Sequence, residues 1–238
     1  MNDTEIIFGL HASIAALQNP SRTVFSLKCT QDFFNKNKKL IESSKPKQFE
    51  IVKRKVIDLE LENTIHQGIL LKCRKLKKSN LDSIDLNEKL IIILDSLNDS
   101  QNVGSILRSA LMFGVKTIIY NKNNSFEINP FLIKASSGAY EKTKLIEVVN
   151  LNKTIEWLKK RDFWIVGFDI KSNNSLKDVP ADTKKAIVFG SENKGIRSLI
   201  SKNCDFLTKI NMPGGNQSIN SLNVSNSVAI ALYEYTRK

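Results

Sequence analysis

The sequence predicts an α/β protein built on a mostly parallel sheet and preceded by a smaller α/β domain. Three observations predict it. From residue 89 onward, apolar runs of strand length alternate with stretches of helical periodicity, the order that gives parallel strands covered on both faces. Residues 90–94 (LIIIL) are apolar throughout, as a strand buried on both faces must be. Residues 77–88 (KKSNLDSIDLNE) are polar and weakly periodic and read as a linker. The expected organisation is a first domain over 1–76, a linker over 77–88 and a second domain over 89–238.

In the first domain, residues 6–18 (IIFGLHASIAALQ) start extended and continue as an amphipathic helix closed by Asn19-Pro20. Residues 24–27 and 49–52 are strands, and the helix-prone segment between them carries Lys36, Lys38, Lys39, Lys45 and Lys47. Residues 64–74 (TIHQGILLKCR), with Gly68 inside an alternating apolar run, read as the final strand. In the second domain, strands are expected at 90–94, 115–120, 145–149, 163–170, 186–190 and 206–210. Helices fall between them at 102–113, stopped by Gly114, and at 130–137, 153–160 and 196–202. The last helix places Val224, Val228, Ala231, Leu232 and Tyr235 on one face, with Asn220 or Ser221 as its N-cap. No repeat or low-complexity segment interrupts this order.

Composition narrows the function classes. A chain of 238 residues, 41% hydrophobic and 25% charged, suits a globular protein of one large domain or two smaller ones. No run approaches the ~18 apolar residues of a membrane span, and the first residues, MNDTE, lack a signal-peptide profile. Three widely spaced cysteines (Cys29, Cys73, Cys204) point to a reducing compartment, the cytoplasm, and to neither disulfides nor a metal cage. The net charge of +12 favours a polyanionic partner, though a chain this rich in Lys, Asn and Ile also reflects an AT-rich genome. The excess is distributed: 13 basic against 8 acidic residues in 1–76, and 23 against 16 after. Both histidines, His11 and His66, lie in the first third and read as packing or turn residues, so chemistry in the second domain proceeds without imidazole.

Three loops at strand ends carry candidate chemistry. In DSLNDSQNVGSILR (95–108), Val103, Leu107, Ala110 and Leu111 form the core face of a helix, while Gly104 and Arg108 share the other side. An arginine there suits phosphate or carboxylate, or is simply a surface residue. In VFGSENKGIR (188–197), a buried strand runs into Gly190, a carboxylate at Glu192 and a second glycine at Gly195. Glycines admit a ligand to the backbone, but the Gly-Lys-Ser/Thr of a phosphate-binding loop is missing. In INMPGGNQSINSLNVSNS (210–227), amides and hydroxyls at Ser218, Asn220, Ser221, Asn223, Ser225, Asn226 and Ser227 exceed what one helix cap needs.

NVGSILRSA, IKASSGAYE (133–141), IVFGSENKGIR and SLNVSNSVAIALYE together resemble the SpoU (TrmH-type) branch of the SPOUT RNA ribose 2′-O-methyltransferases, over nearly all of 90–238. GLHASIAAL and IHQGI (65–69) are similar to the substrate-binding domain of members that modify large-subunit ribosomal RNA. The resemblance implies a C-terminal trefoil knot, which general rules of chain topology disfavour. It implies S-adenosylmethionine held in that knot by the backbone around Phe189, Gly190, Ile210 and Leu222, and a homodimer with each site near the subunit interface. Asn102, Arg108, Glu192, Ser221 and Asn223 occupy the family's functional positions. Arg108 acts as base, helped by an RNA phosphate, or as phosphate clamp and electrostatic stabiliser. Asn102 and Asn223 orient the arginine and the ribose, Glu192 positions the arginine or the donor's amino group, and Ser221 caps the last helix. The basic residues of the first domain (Lys36, Lys38, Lys39, Lys53, Arg54, Lys55) track phosphates.

The substrate implied is rRNA, with guanosine as the base. A tRNA ribose methylase is the nearer alternative, and a non-catalytic RNA-binding or ribosome-assembly factor is the alternative of another class. One departure stands out: Asn211 replaces the usual proline of an Ile-Pro-Met loop, and the interval to Ser-Leu-Asn is longer. Roles within 211–219 are therefore not assigned singly, and the added Gly214-Gly215 is expected to loosen the loop.

Overall fold

The computed structural model describes residues 3–214 and 221–237. In chain order the elements begin β1 (Thr4–Phe8), α1 (Leu10–Gln18), β2 (Val24–Cys29), α2 (Gln31–Ser44), β3 (Gln48–Ile51), α3 (Arg54–Glu60) and β4 (Ile69–Arg74). They continue β5 (Leu90–Asp95), α4 (Ser100–Met112), β6 (Thr117–Asn121), α5 (Pro130–Ala135), β7 (Lys144–Val148) and α6 (Leu151–Lys159). Last come β8 (Phe163–Phe168), β9 (Lys184–Gly190), α7 (Ser198–Lys202), β10 (Phe206–Thr208) and α8 (Val224–Thr236). The chain divides into two compact units: residues up to Lys77 together with Ile128–Lys142, and Lys78–Glu127 together with the chain from Thr143.

The first unit holds a four-stranded mixed sheet in the order β1-β4-β2-β3. Only the β2–β3 pair is parallel. Gly68 lies before β4, not within it. Its φ of +84° is a turn conformation, and a Cβ there would sit 2.7 Å from the Thr30 hydroxyl that caps α2. The alternating run therefore starts pairing only at Ile69. His66 is fully buried beside this turn, taking the Gly68 N–H on Nδ1 at 3.0 Å and meeting Asp58 through Nε2 at 2.9 Å. Helix α3 was not anticipated from sequence; of its seven residues only Ile57 is buried, too few for a periodic signal.

Segment 128–142, which contains the IKASSGAYE stretch, joins this unit through a buried ion cluster. Arg22 pairs with Glu5 and with Glu141 (2.7 Å), and donates to the Arg74 carbonyl at 2.7 Å. Its side chain is 1% exposed, so the cation is matched on every side rather than left to water.

The second unit is a six-stranded sheet, all parallel, in the order β10-β8-β9-β5-β6-β7. Strand β5 is buried along its whole length; Ile91, Ile92, Ile93 and Leu94 have no exposed surface, worth roughly 1.5–3 kcal/mol each on burial. From β5 the chain builds outward through β6 to β7, then crosses to lay β8, β9 and β10 on the other side. The order thus reverses between β5 and β9, and in open parallel sheets ligands bind outside the carboxyl ends at such a reversal. Residues 78–88 pack within this unit: Ile84 joins its core, and Glu88 accepts from Thr117 at 2.9 Å.

Two details of the helices differ from expectation. Gly104 is buried along with Val103 and Leu107 on the face of α4, which packs on α8, so it does not share an open side with Arg108. The N-cap of α8 is Asn223, whose side chain accepts from the Ser225 N–H; Ser221 lies outside the helix, and Asn220 lies outside the described residues.

Candidate functional site

The carboxyl ends of β5 and β9 carry the two turns from which the site is built. At the end of β9 the chain closes on itself: the Gly195 N–H donates to the Ser191 carbonyl at 2.8 Å. Gly190 is obligatory at this point, because a Cβ would run into the backbone of Gly195 and Ile196. The closed turn leaves Glu192 at its exposed tip.

Glu192 meets two amides from distant parts of the chain. Its Oε1 accepts from Asn102 Nδ2 at 2.9 Å and from Asn223 Nδ2 at 3.1 Å. Asn223 Nδ2 also donates to Asn102 Oδ1 at 2.8 Å, which closes a triangle of three side chains. The amides are oriented from outside. Asp99, the N-cap of α4, accepts from Asn102 Nδ2 at 3.2 Å, and Ser225 donates its N–H and its hydroxyl to Asn223 Oδ1 at 2.9 and 2.6 Å. Each NH2 thus faces a carboxylate and each carbonyl faces a donor. The triangle ties the first turn of α4, the 190–197 turn and the cap of α8 together, the same three strand-end segments singled out in the sequence.

Beside the triangle opens a cavity of about 1070 Å³. Phe189, Gly190, Ile210 and Leu222 all line it, with Ser221 and Glu192 at its polar side. The rings of Phe168 and Phe189 stack at 4.3 Å and 22° within this lining, a flat apolar wall. A smaller cavity of about 170 Å³ also borders Glu192, lined by Asp99, Asn102, Asn193 and Val224. Apolar walls with a few convergent polar groups are what an organic ligand with a charged end requires.

Arg108 is exposed on α4, six residues beyond Asn102, and lines neither cavity. Of the long loop, Met212 lines the larger cavity; residues 215–220, which include Gly215, Ser218 and Asn220, lie outside the described residues. Three contributors escaped sequence reasoning. Asp95 and Arg197 bind each other across the two strand-end turns, and Asp99 orients Asn102. Only the placement of Asp95 at the end of an apolar strand hinted at a role.

The three cysteines add no nucleophile. Burial pushes the thiols of Cys73 and Cys204 up to about 12 and that of Cys29 to about 11, so each is a thiol at neutral pH. Among the described residues no group of His, Cys, Asp and Glu is arranged to hold a metal ion. None of the helices among them is long and apolar enough to cross a membrane.

Residues 89–233 match the model of the SpoU rRNA Methylase family, and residues 6–79 match the model described as RNA 2′-O ribose methyltransferase substrate binding. The chain is 34% identical to the 23S rRNA (guanosine-2′-O-)-methyltransferase RlmB of Coxiella burnetii, over 100% of this chain and 97% of that protein. It is 33% identical to the protein of the same name from Escherichia coli K12, over 99% of each. Among solved structures, the SpoU methyltransferase AviRb from Streptomyces viridochromogenes has the same fold, with a TM-score of 0.84 and 21% identity over 99% of this chain and 89% of that one. AviRb has also been solved in complex with the cofactor AdoMet.

Proposed function

The chain belongs to the SpoU rRNA methylase family, and from that premise we propose that it methylates the ribose 2′-hydroxyl of a guanosine in large-subunit rRNA, with S-adenosylmethionine as donor. Family membership brings with it the C-terminal trefoil knot. The observation that carries the assignment to this site is the Asn102–Glu192–Asn223 triangle standing at the cavity formed by the reversal of the parallel sheet.

The lining fits the donor. The stacked Phe168–Phe189 wall and Leu222 suit an adenine face, and the backbone of Gly190 and Ile210, which line the cavity, offers amides and carbonyls to its edge. When bound, the donor would supply an electrophilic methyl group on a sulfonium, leaving as the thioether once the ribose oxygen takes the methyl, while the hydroxyl proton would pass to Arg108 or to the RNA phosphate beside it. The protein's contribution is to hold the attacking oxygen in line, about 3–3.5 Å from the carbon, which accounts for most of the acceleration such a displacement needs. Asn102 and Asn223 are pre-oriented amides that fix the ribose. Glu192 holds both of them and borders both cavities. Ser221 contacts the site from the donor side. Arg108, about 9 Å along α4 from Asn102, meets the RNA strand. There it clamps a phosphate and stabilises the developing alkoxide, or accepts the proton with that phosphate's help.

The enzyme acts as a homodimer in the cytoplasm. Exposed Met112 on α4 and exposed Ile230 and Tyr233 on α8 give a pair of packed helices an apolar outer surface beside Arg108, suited to a second copy. Three free cysteines suit a reducing compartment. The first 76 residues select the RNA, and the exposed Lys36, Lys38, Lys39, Lys53, Arg54 and Lys55 supply its phosphate contacts.

The test is methylation of separated rRNA and tRNA with tritiated donor. Label on 23S rRNA is expected. Label on tRNA alone would mark a tRNA methylase, and no donor binding by calorimetry would mark a non-catalytic RNA-binding factor.

A further inference from the structure

At the carboxyl end of β5 the chain buries a carboxylate that the chemistry above does not use. Asp95 has no exposed surface. A buried carboxylate without partners destabilises the fold, so its partners reveal what it is for. Oδ2 accepts the backbone N–H of Arg197 at 2.9 Å, and Oδ1 accepts the same residue's Nε at 2.7 Å, with Nη2 also at 2.7 Å. The Ser96 hydroxyl adds a bond to Oδ1 at 3.2 Å. One carboxylate thus fixes both the main chain and the guanidinium plane of Arg197.

Arg197 ends the turn that Gly190 begins, and Asp95 stands opposite Gly190 in the β5–β9 register. The carboxylate is therefore beside the start of the turn and bonded to its end. Between these two points lie the Ser191–Gly195 closure and Glu192. The pair is not sealed scaffolding: half of the Arg197 side chain is exposed, and Arg197 lines the larger cavity.

We propose that Asp95 and Arg197 are positioning residues for the methyl donor: they hold the 190–197 turn in the shape that offers its backbone and Glu192 to the bound molecule. The inference rests on reading the larger cavity as the donor site. The pair touches no reacting atom. It acts through the turn, so its loss weakens donor binding, loosens Glu192 and leaves RNA binding in place.

Three variants of the full chain test this, with donor affinity measured by calorimetry and RNA affinity by filter binding. Asp95→Asn keeps the shape and removes the charge. Arg197→Lys keeps the charge and removes the planar fork. The double variant Asp95→Asn/Arg197→Gln replaces the ion pair by two amides, so no lone charge is buried if either single change impairs folding. Both single variants are expected to raise the donor Kd by at least about tenfold, with unchanged RNA Kd; the double variant recovers part of the loss. Leu222→Trp, which narrows the cavity, separates the two readings. Unchanged donor affinity in all three variants, with donor binding abolished in Leu222→Trp, overturns the positioning role alone. Unchanged affinity in Leu222→Trp as well overturns the placement of the donor in this cavity.

Discussion

Asn223 holds two positions at once, and two substitutions separate them. Its Oδ1 caps α8 by accepting from the Ser225 N–H at 2.9 Å, while its Nδ2 donates to Asn102 and Glu192 at 2.8 and 3.1 Å. Asn223→Ser keeps a capping oxygen and removes the donated bonds; Asn223→Ala removes both. Loss of an N-cap costs about 0.5–2 kcal/mol, so the alanine variant should melt lower than the serine variant by roughly 2–4 °C per kcal/mol. The donated bonds reach exposed groups, so their loss adds little to stability. Their effect falls on the reaction, because Asn102 and Glu192 lose the partner that fixes their spacing. A displacement of about 1 Å in such an assembly lowers turnover about a hundredfold. Circular dichroism melting and tritium transfer to rRNA give the two quantities. The expected pattern is a serine variant of near-native stability and about hundredfold lower kcat/KM, and an alanine variant equally slow and less stable. A serine variant with native turnover would show that the triangle is only a helix cap with neighbours.

Other predictions follow from separate parts of the molecule. Arg108→Lys retains the charge and loses the fork; it should bind donor with native affinity and be nearly inactive, and native turnover would eliminate both roles given to Arg108. Glu88 is half-buried, its Oε2 has no hydrogen-bond partner, and burial raises its carboxyl above the ordinary value of 4.5. The folded state then holds this proton more tightly than the unfolded state, so the group's contribution is fully present below pH 4.5 and is lost as pH rises through the raised value. Glu88→Gln should therefore melt above the native protein at pH 7 and converge with it below pH 4.5; parallel melting curves across that range would refute the assignment. Replacing Lys53, Arg54 and Lys55 with glutamate should weaken RNA binding and flatten its dependence on salt, the slope falling by about one for each phosphate left unneutralised, without changing donor affinity.

Much of the second unit was legible because its signals are local. The run LIIIL needs both faces covered wherever it is placed, and alternating strands and helices leave few other arrangements. The three strand-end loops announced themselves by chemistry that strands and helices do not need: Glu192 between two glycines, and amides crowded before α8. Sequence could not show that Asn102 and Asn223, separated by 121 positions, exchange hydrogen bonds. It could not show that Asp95 closes on Arg197, since an acid after an apolar strand and an arginine after Gly-Ile are each ordinary alone. The cap of α8 was misplaced for a different reason. Several adjacent residues there have caps' chemistry, and only the backbone conformation at Asn223 chooses among them. Nor did the IKASSGAYE segment reveal that Glu141 completes the partners of Arg22, because that bond spans 119 positions and two stretches without shared periodicity.

The identity of the methylated atom is the most direct test of the proposed chemistry. Large-subunit rRNA lacking the modification would be incubated with the protein and labelled S-adenosylmethionine, then digested to nucleosides. Label recovered in 2′-O-methylguanosine, and appearing about a hundredfold more slowly when Asn223→Ser replaces the native protein, is the predicted result. Label on a base, or transfer that is indifferent to Asn223, would contradict it.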